Sequence, residues 1–245
     1  MIDPLAGPKT VALDSQRHRQ LKLRLPVADW SVAAHLNAVF VAAAEFGDAC
    51  REYPVVFVRA GADEQGRLQV APIAVLGLSR GENLYLDGPR WRAVYLPALL
   101  RSYPFGIARI DAERFAVSLD SGWSGLSETE GQPLFEADGT PTELLKAVHE
   151  QLGLIEQEVR TTRAFCQTLI DLDILREMRF DATLPDGSAL AVDGFLTVDV
   201  TRLNALTDAQ VLALFRSGAL SLIHAHWMSL GVMRQLVQRR AERPA

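Results

Sequence analysis

Apolar and polar residues alternate through Leu21-Lys22-Leu23-Arg24-Leu25, the period of a half-buried strand, and Pro26 stops it. Alanine and valine dominate residues 32–50, which predicts some helix ending near Gly47 or Tyr53. Pro54-Val55-Val56-Phe57-Val58 is an unbroken apolar run with proline first, where a strand tolerates it, and predicts a buried strand. A loop at 61–66 separates it from the β-rich stretch 68–78, and the two are expected to pair. Turns at Gly81-Glu82-Asn83 and Asp87-Gly88 bracket a short strand, Leu84-Tyr85-Leu86. The pattern so far is a meander rather than a strand–helix–strand unit.

Residues 91–105 hold four aromatics and two prolines around one apolar segment. Pro97 suits the first turn of a helix and Pro104 blocks its continuation past Tyr103, so about two turns are predicted. Strand character resumes at 107–110 and 115–119. A loop at 120–132 carries Gly122, Gly125 and Gly131. Thr140-Pro141-Thr142-Glu143 then reads as a helix start, with a capping threonine, proline at the first position and glutamate closing the box. The helical pattern continues to about Met178, as one long helix or as two meeting near Gly153.

Residues 180–184 and 189–200 flank Pro185-Asp186-Gly187-Ser188, a hairpin signal. Thr207-Asp208-Ala209-Gln210 is a second capping box, opening a helix that stops at Gly218. A final helix is expected over 220–240. Residues 1–20 are polar, with Pro4, Gly7 and Pro8, and read as a loosely held arm. The sum is an α+β fold, an antiparallel β-rich N-terminal meander with short helices followed by C-terminal helices around a β-hairpin. It is expected to form a single domain over 1–245. A subdivision into a β-rich 21–135 and a mainly helical 136–240, with the hairpin at 180–200, is the alternative.

Composition changes this picture little, but charge changes it more. The net charge of −5 argues against a general nucleic-acid binder. It divides into +3 for residues 1–110, −12 for 111–200 and +4 for 201–245. The acidic middle either faces solvent or lies against the basic flanks. Within residues 88–110 stand four arginines (Arg90, Arg92, Arg101, Arg109) and no acid. The start of the chain lacks a basic and then apolar leader pattern, and the late apolar stretch 219–233 is short and broken by His224, His226 and Ser229. The expected location is therefore the cytoplasm, with no membrane span.

Candidate chemistry is sparse. There is no P-loop, no G-x-G-x-x-G and no nucleophile elbow, so no cofactor is expected. His224 and His226 stand two apart in a helical pattern and point roughly 200° apart, which disfavours a shared metal; one is expected in the core and the other outside. Cys50 and Cys166 form no C-x-x-C, and a reduced pair is expected. The arginine-rich window supports two readings. Trp91, Tyr95 and Tyr103 are core with the arginines covering them, or Trp91, Arg92, Tyr95, Arg101 and Tyr103 form a surface for a small anionic ligand or a protein partner.

The succession Glu45-Phe46, Glu52-Tyr53-Pro54-Val55-Val56-Phe57, Leu76-Gly77-Leu78, Gly81-Glu82-Asn83-Leu84, Trp91, Tyr95-Leu96-Pro97-Ala98, Arg101 and Tyr103-Pro104-Phe105 resembles the SapC family of bacterial proteins. The likeness continues through Pro133-Leu134-Phe135, Asp138-Gly139, Asp186-Gly187 and Gly194 to His226 and Ser229-Leu230. The resemblance implies an association with bacterial surface layers, and members are often labelled as peptide-resistance or transport proteins. It supplies no catalytic residues. Three functions are thus carried forward. The first is a non-catalytic binding or accessory protein working near residues 91–103, with self-association into a homo-oligomer left open. The second is an enzyme that assembles His226, Arg101 and an acid from the middle segment. The third is an envelope or surface-layer component.

Overall fold

The computed structural model describes residues 9–63, 65–110, 114–183 and 187–243. The chain divides into two compact units, each assembled from separate segments. The first takes the chain up to Ala33, then Leu86–Trp91 and Ala98–Gln157. The second takes Ala34–Tyr85, Arg92–Pro97 and the chain from Glu158 on. Antiparallel sheets and a helical C-terminal part make the fold α+β, as the pattern predicts.

The second unit is organised on a five-stranded antiparallel sheet. Its strands are β1 (Ala38–Phe40), β2 (Val55–Ala62), β3 (Leu68–Val75), β4 (Leu175–Thr183) and β5 (Ala189–Val198), in spatial order β4-β5-β2-β3-β1. β2 is central, and Val55, Val56 and Phe57 are each fully buried. Burial on both faces explains its continuous apolar run where a half-exposed strand would alternate. β2 and β3 form the expected hairpin, with Val55 opposite Ala74 and Phe57 opposite Pro72. β4 and β5 form the second hairpin, closing with Thr183 opposite Ala189. Residues 184–186 of its assigned turn lie outside the described residues.

Several expectations are corrected here. Residues 32–50 are helix in part, as expected, with a 3-10 turn at Ala43–Glu45 running into one helical turn at Phe46–Ala49; the departure is Ala38–Phe40, which is β1 and pairs with β3, Val39 opposite Ala74. Sheet pairing overrides the helical propensity of alanine, a weak prior in any case. Leu84 and Tyr85 are not strand; the pairing is Leu86–Asp87 with Arg90–Trp91. Helix α1 (Glu143–Asp171) runs through Gly153 without a break. It ends before Met178, because the alternating residues after Asp173 (φ 50°) enter β4. Its buried residues include Leu145, Leu152, Ile155, Glu156, Val159, Thr162, Phe165, Cys166 and Leu169, which cluster along one helical face.

Helix α2 (Asp208–Arg216) begins at the predicted capping box. Thr207 Oγ1 accepts the Gln210 N–H at 3.4 Å, and Gln210 Oε1 accepts the Thr207 N–H at 2.9 Å. Gly218, at φ 78°, turns the chain into the next helix. The expected final helix is two, α3 (Ala219–Leu230) and α4 (Met233–Ala241). Gly231 sits at the break, where the Val232 N–H bonds tightly back to the Ser229 carbonyl at 2.9 Å.

In the first unit Phe115–Asp120 pairs with Phe105–Arg109 on one side and with Thr10–Ala12 on the other. Residues 10–12 are therefore a strand, with Thr10 opposite Asp120, and not part of a loose arm. Lys22–Leu23 lies between Leu126–Ser127 and Gln132–Pro133, and Leu23 is fully buried. The helix after Pro97 is one turn, Ala98–Arg101, because Phe105 folds back to bond the Ser102 carbonyl at 2.8 Å. The cap of α1 is Thr142, whose Oγ1 accepts the Leu145 N–H at 3.4 Å; Thr140 is engaged instead by Asp138 Oδ1.

Candidate functional site

The predicted site residues fall in both units. Trp91, Arg101 and Tyr103 belong to the first, and Arg92 and Tyr95 to the second. In the first unit, Leu86–Asp87 and Arg90–Trp91 form a small hairpin turned at Gly88, whose φ of 56° suits glycine. The Trp30 N–H clamps this turn through the Pro89 carbonyl at 2.8 Å. The Trp30 ring stands 6.1 Å from Trp91, edge to face, and 6.4 Å from Tyr103. Tyr103 in turn meets Trp123 at 6.1 Å. The row is buried at its Tyr103 and Trp123 end and half-covered at its Trp30 and Trp91 end. Arg90 and Arg101 are exposed.

Tyr103 is spoken for. Its hydroxyl donates to Asp120 Oδ2 at 2.8 Å. Burial, and then the hydrogen bond to the Asp120 carboxylate, raise its pKa above the ordinary phenol value, so it stays a neutral donor. Trp30, which joins the two parts of the window, is a residue that the sequence did not single out. It lies outside any periodic segment, and its local signal is only the turn in which Asp29 Oδ1 accepts the Ser31 N–H.

In the second unit Arg92–Pro97 is a strap tied down by acids. Glu52 accepts the Val94 and Tyr95 N–H groups through its two carboxylate oxygens, at 2.8 and 2.7 Å. The Tyr95 hydroxyl donates to the buried Glu45 at 2.6 Å, and Tyr53 donates to the Tyr95 carbonyl. Tyr85 packs at a tilt against Tyr53, ring centres 4.5 Å apart, and the Arg239 guanidinium lies 4.2 Å over the Tyr85 ring. Arg92 is exposed, and only its backbone N–H is engaged among the bonds seen, with the Tyr85 carbonyl at 2.7 Å.

His226 has a position that the enzyme reading did not anticipate. It is fully buried, and α3 presents it to the point where β2 and β5 stop pairing. The two strands are matched at Phe195–Val58 and Leu196–Phe57, and no further. Beyond that point His226 Nδ1 lies 2.7 Å from the Val55 carbonyl, an acceptor only, so Nδ1 carries the proton. Nε2 then accepts from the Thr197 hydroxyl at 2.8 Å and the Val198 N–H at 3.3 Å. Ser229 completes the join: its Oγ accepts the Val55 N–H at 2.9 Å. The imidazole replaces a missing rung of the sheet. Burial lowers its pKa to about 4, against a smaller opposing pull from the Val55 bond. Both ring nitrogens are committed, so His226 is no free acid or base here. His224 is exposed and stands 5.6 Å from Trp227, giving the expected split of the two histidines.

A separate open groove of about 520 Å³ lies in the first unit. Leu13, Val117, Phe135 and Leu145 line it, with Lys146 and His149 also in its wall. Lys146 is paired with Glu143 at 2.6 Å, and His149 stacks on Phe115 at 5.1 Å. Both cysteines are buried and unbridged, and burial pushes the Cys166 thiol up to about 12. Among the described residues no helix is long and apolar enough to cross a membrane.

Together these features describe an α+β protein in which buried His226, Thr197 and Ser229 join strand ends, while Arg90, Arg92 and Arg101 are exposed and Trp30 and Trp91 half-covered. The chain belongs to the SapC family, whose model matches residues 13–236, most of its length. No curated protein and no solved structure matches it.

Proposed function

We propose that this SapC-family protein is a binding or accessory protein that recognises an anionic group on the Trp30–Trp91 face of its first unit. One observation carries the reading: a half-covered edge-to-face tryptophan pair stands with exposed Arg90 and Arg101 in the same unit. A guanidinium matches carboxylate or phosphate with two parallel hydrogen bonds, and an indole supplies a flat amphipathic wall for the rest of the ligand. Arg92 and Tyr95 are not needed for this face.

The test is a tryptophan-fluorescence titration with inorganic phosphate, citrate and a short peptide bearing a free carboxylate. Native mass spectrometry of the freshly purified protein accompanies it. The double substitution Arg90→Ala/Arg101→Ala is expected to weaken binding at least about tenfold, the loss of one to two charge-assisted bonds, without moving the thermal midpoint. Lys146→Ala, in the separate groove, serves as the control and is expected to bind as the parent does. Unaltered affinity in the double variant, or loss confined to Lys146→Ala, rejects the reading.

A further inference from the structure

Helix α2 is built inside out. Of its nine residues only Leu214 is buried, at 1% exposure, while Val211, Leu212 and Phe215 are 37%, 45% and 69% exposed. At about 100° per residue, Leu214 and Gln210 mark the inward side of the helix. Leu212 falls at the centre of the outward arc. Val211 and Phe215 flank it on one side, and Ala209 and Ala213, both exposed, flank it on the other. The helix is sound in itself, with a complete capping box at Thr207 and Gln210 and a glycine stop at Gly218. Its apolar arc is therefore not the by-product of an ill-formed segment.

We infer that this arc pairs α2 with α2 of a second copy of this chain, antiparallel, about a two-fold axis at Leu212. The charges at the two ends of the helix favour that arrangement over a parallel one. Reversal places Asp208, at the start of each helix, level with Arg216, at the end of the other, so both ends gain an opposite charge. A parallel pair sets Asp208 on Asp208 and Arg216 on Arg216. The two-fold keeps like flanks together: Phe215 and Val211 of one copy interleave with Val211 and Phe215 of the other. On the opposite flank the small Ala209 and Ala213 let the two backbones approach. Leu212 meets its own equivalent at the centre, the isologous contact that a closed dimer requires.

Sedimentation velocity on the full chain over a hundredfold concentration range tests this. The parent is expected to show a concentration-dependent dimer. Leu212→Glu and Phe215→Glu are each expected to sediment as monomers, and Phe215→Glu, at the more exposed position (69%), is expected to keep the circular-dichroism melt of the parent. Asp208→Arg alone and Arg216→Asp alone each create like-charge contacts at both ends of a homodimer and are expected to dissociate at least tenfold more readily. Mixed one to one, these two chains restore opposite charges at both ends and are expected to regain the dimer. A parent that is monomeric throughout overturns the inference, as does a dimer that survives Leu212→Glu. A mixture that fails to re-associate also overturns it, because it removes the antiparallel register.

Discussion

In the second unit polar side chains go inside and are used up there. His226, Ser229 and Thr197 are all buried and bond the ends of β2 and β5, and the buried Glu45 holds the Tyr95 hydroxyl. In the first unit a row of rings from Trp123 through Tyr103 and Trp30 to Trp91 runs from the interior to a half-covered end at the surface. A buried hydrogen-bonded group makes specific demands on its neighbours, because an abandoned partner costs the full desolvation of a polar atom. A ring edge makes none, and can be shared with a ligand. The difference locates rigidity in one region and available surface in the other, and it can be tested by removing one group at a time.

The largest effect is expected at His226. His226→Ala removes the partner of the Thr197 hydroxyl and the Val198 N–H, leaves the Val55 carbonyl only the longer Ser229 hydroxyl contact at 3.2 Å, and opens a ring-sized cavity beside Phe57, whose ring is 5.0 Å away. Together these are expected to cost roughly 3–5 kcal/mol. The midpoint of urea unfolding checks it. A shift worth less than about 1 kcal/mol would mean that the strand ends pair without the imidazole, and would erase the contrast between the units.

The pH dependence follows from the same ring. His226 titrates near 4 when folded, against 6.5 for an unperturbed histidine. Between those values the unfolded chain takes up a proton that the native state refuses. Stability is therefore full above about pH 7 and falls as pH drops through 6.5 towards 4, by up to about 3 kcal/mol from this group. Unfolding of the parent and of His226→Gln at several pH values isolates the term. The difference between the two is expected to shrink on acidification, and parallel pH profiles would contradict the assignment.

Glu52 should matter less, because it is only half-buried. Glu52→Ala removes the acceptor for the Val94 and Tyr95 N–H groups, at an expected cost of about 1–2 kcal/mol. Amide exchange at those two positions is expected to quicken while the β2 amides stay protected. Uniform acceleration across the second unit would instead make the strap part of its core.

What was legible in the sequence was what is local. The β2–β3 hairpin shows itself as two apolar runs across a glycine-bounded loop, and α2 as a capping box ending at a glycine. The opposed orientation of His224 and His226 follows from helical arithmetic. The distant contacts were illegible for the same reason that they are informative. Residues 10–12 are too few to reveal a period, and their partners stand over a hundred positions away. Trp30 has no apolar neighbours in series to mark it. The task of His226 depends on where two strands diverge, and that follows from the twist and packing of a sheet rather than from any spacing in the chain. Even the break at Gly231 was visible only as one glycine in an otherwise helical run, and a helix interior can absorb one, as Gly153 does in α1.

The smallest expected effects are in the aromatic row, and their ranking sharpens the comparison most. Tyr103→Phe deletes one hydrogen bond, to Asp120, and keeps the ring against Trp30 and Trp123. About 1 kcal/mol is expected. Arg101→Ala removes an exposed side chain at the end of a one-turn helix and is expected to stay within about 0.5 kcal/mol of the parent. Thermal melts in low and moderate salt measure both. If Arg101→Ala proves as costly as Tyr103→Phe, the arginine is holding the first unit together and its guanidinium is not at a ligand's disposal. If it is neutral while anion binding falls, the side chain is retained for recognition, because folding then has no use for it.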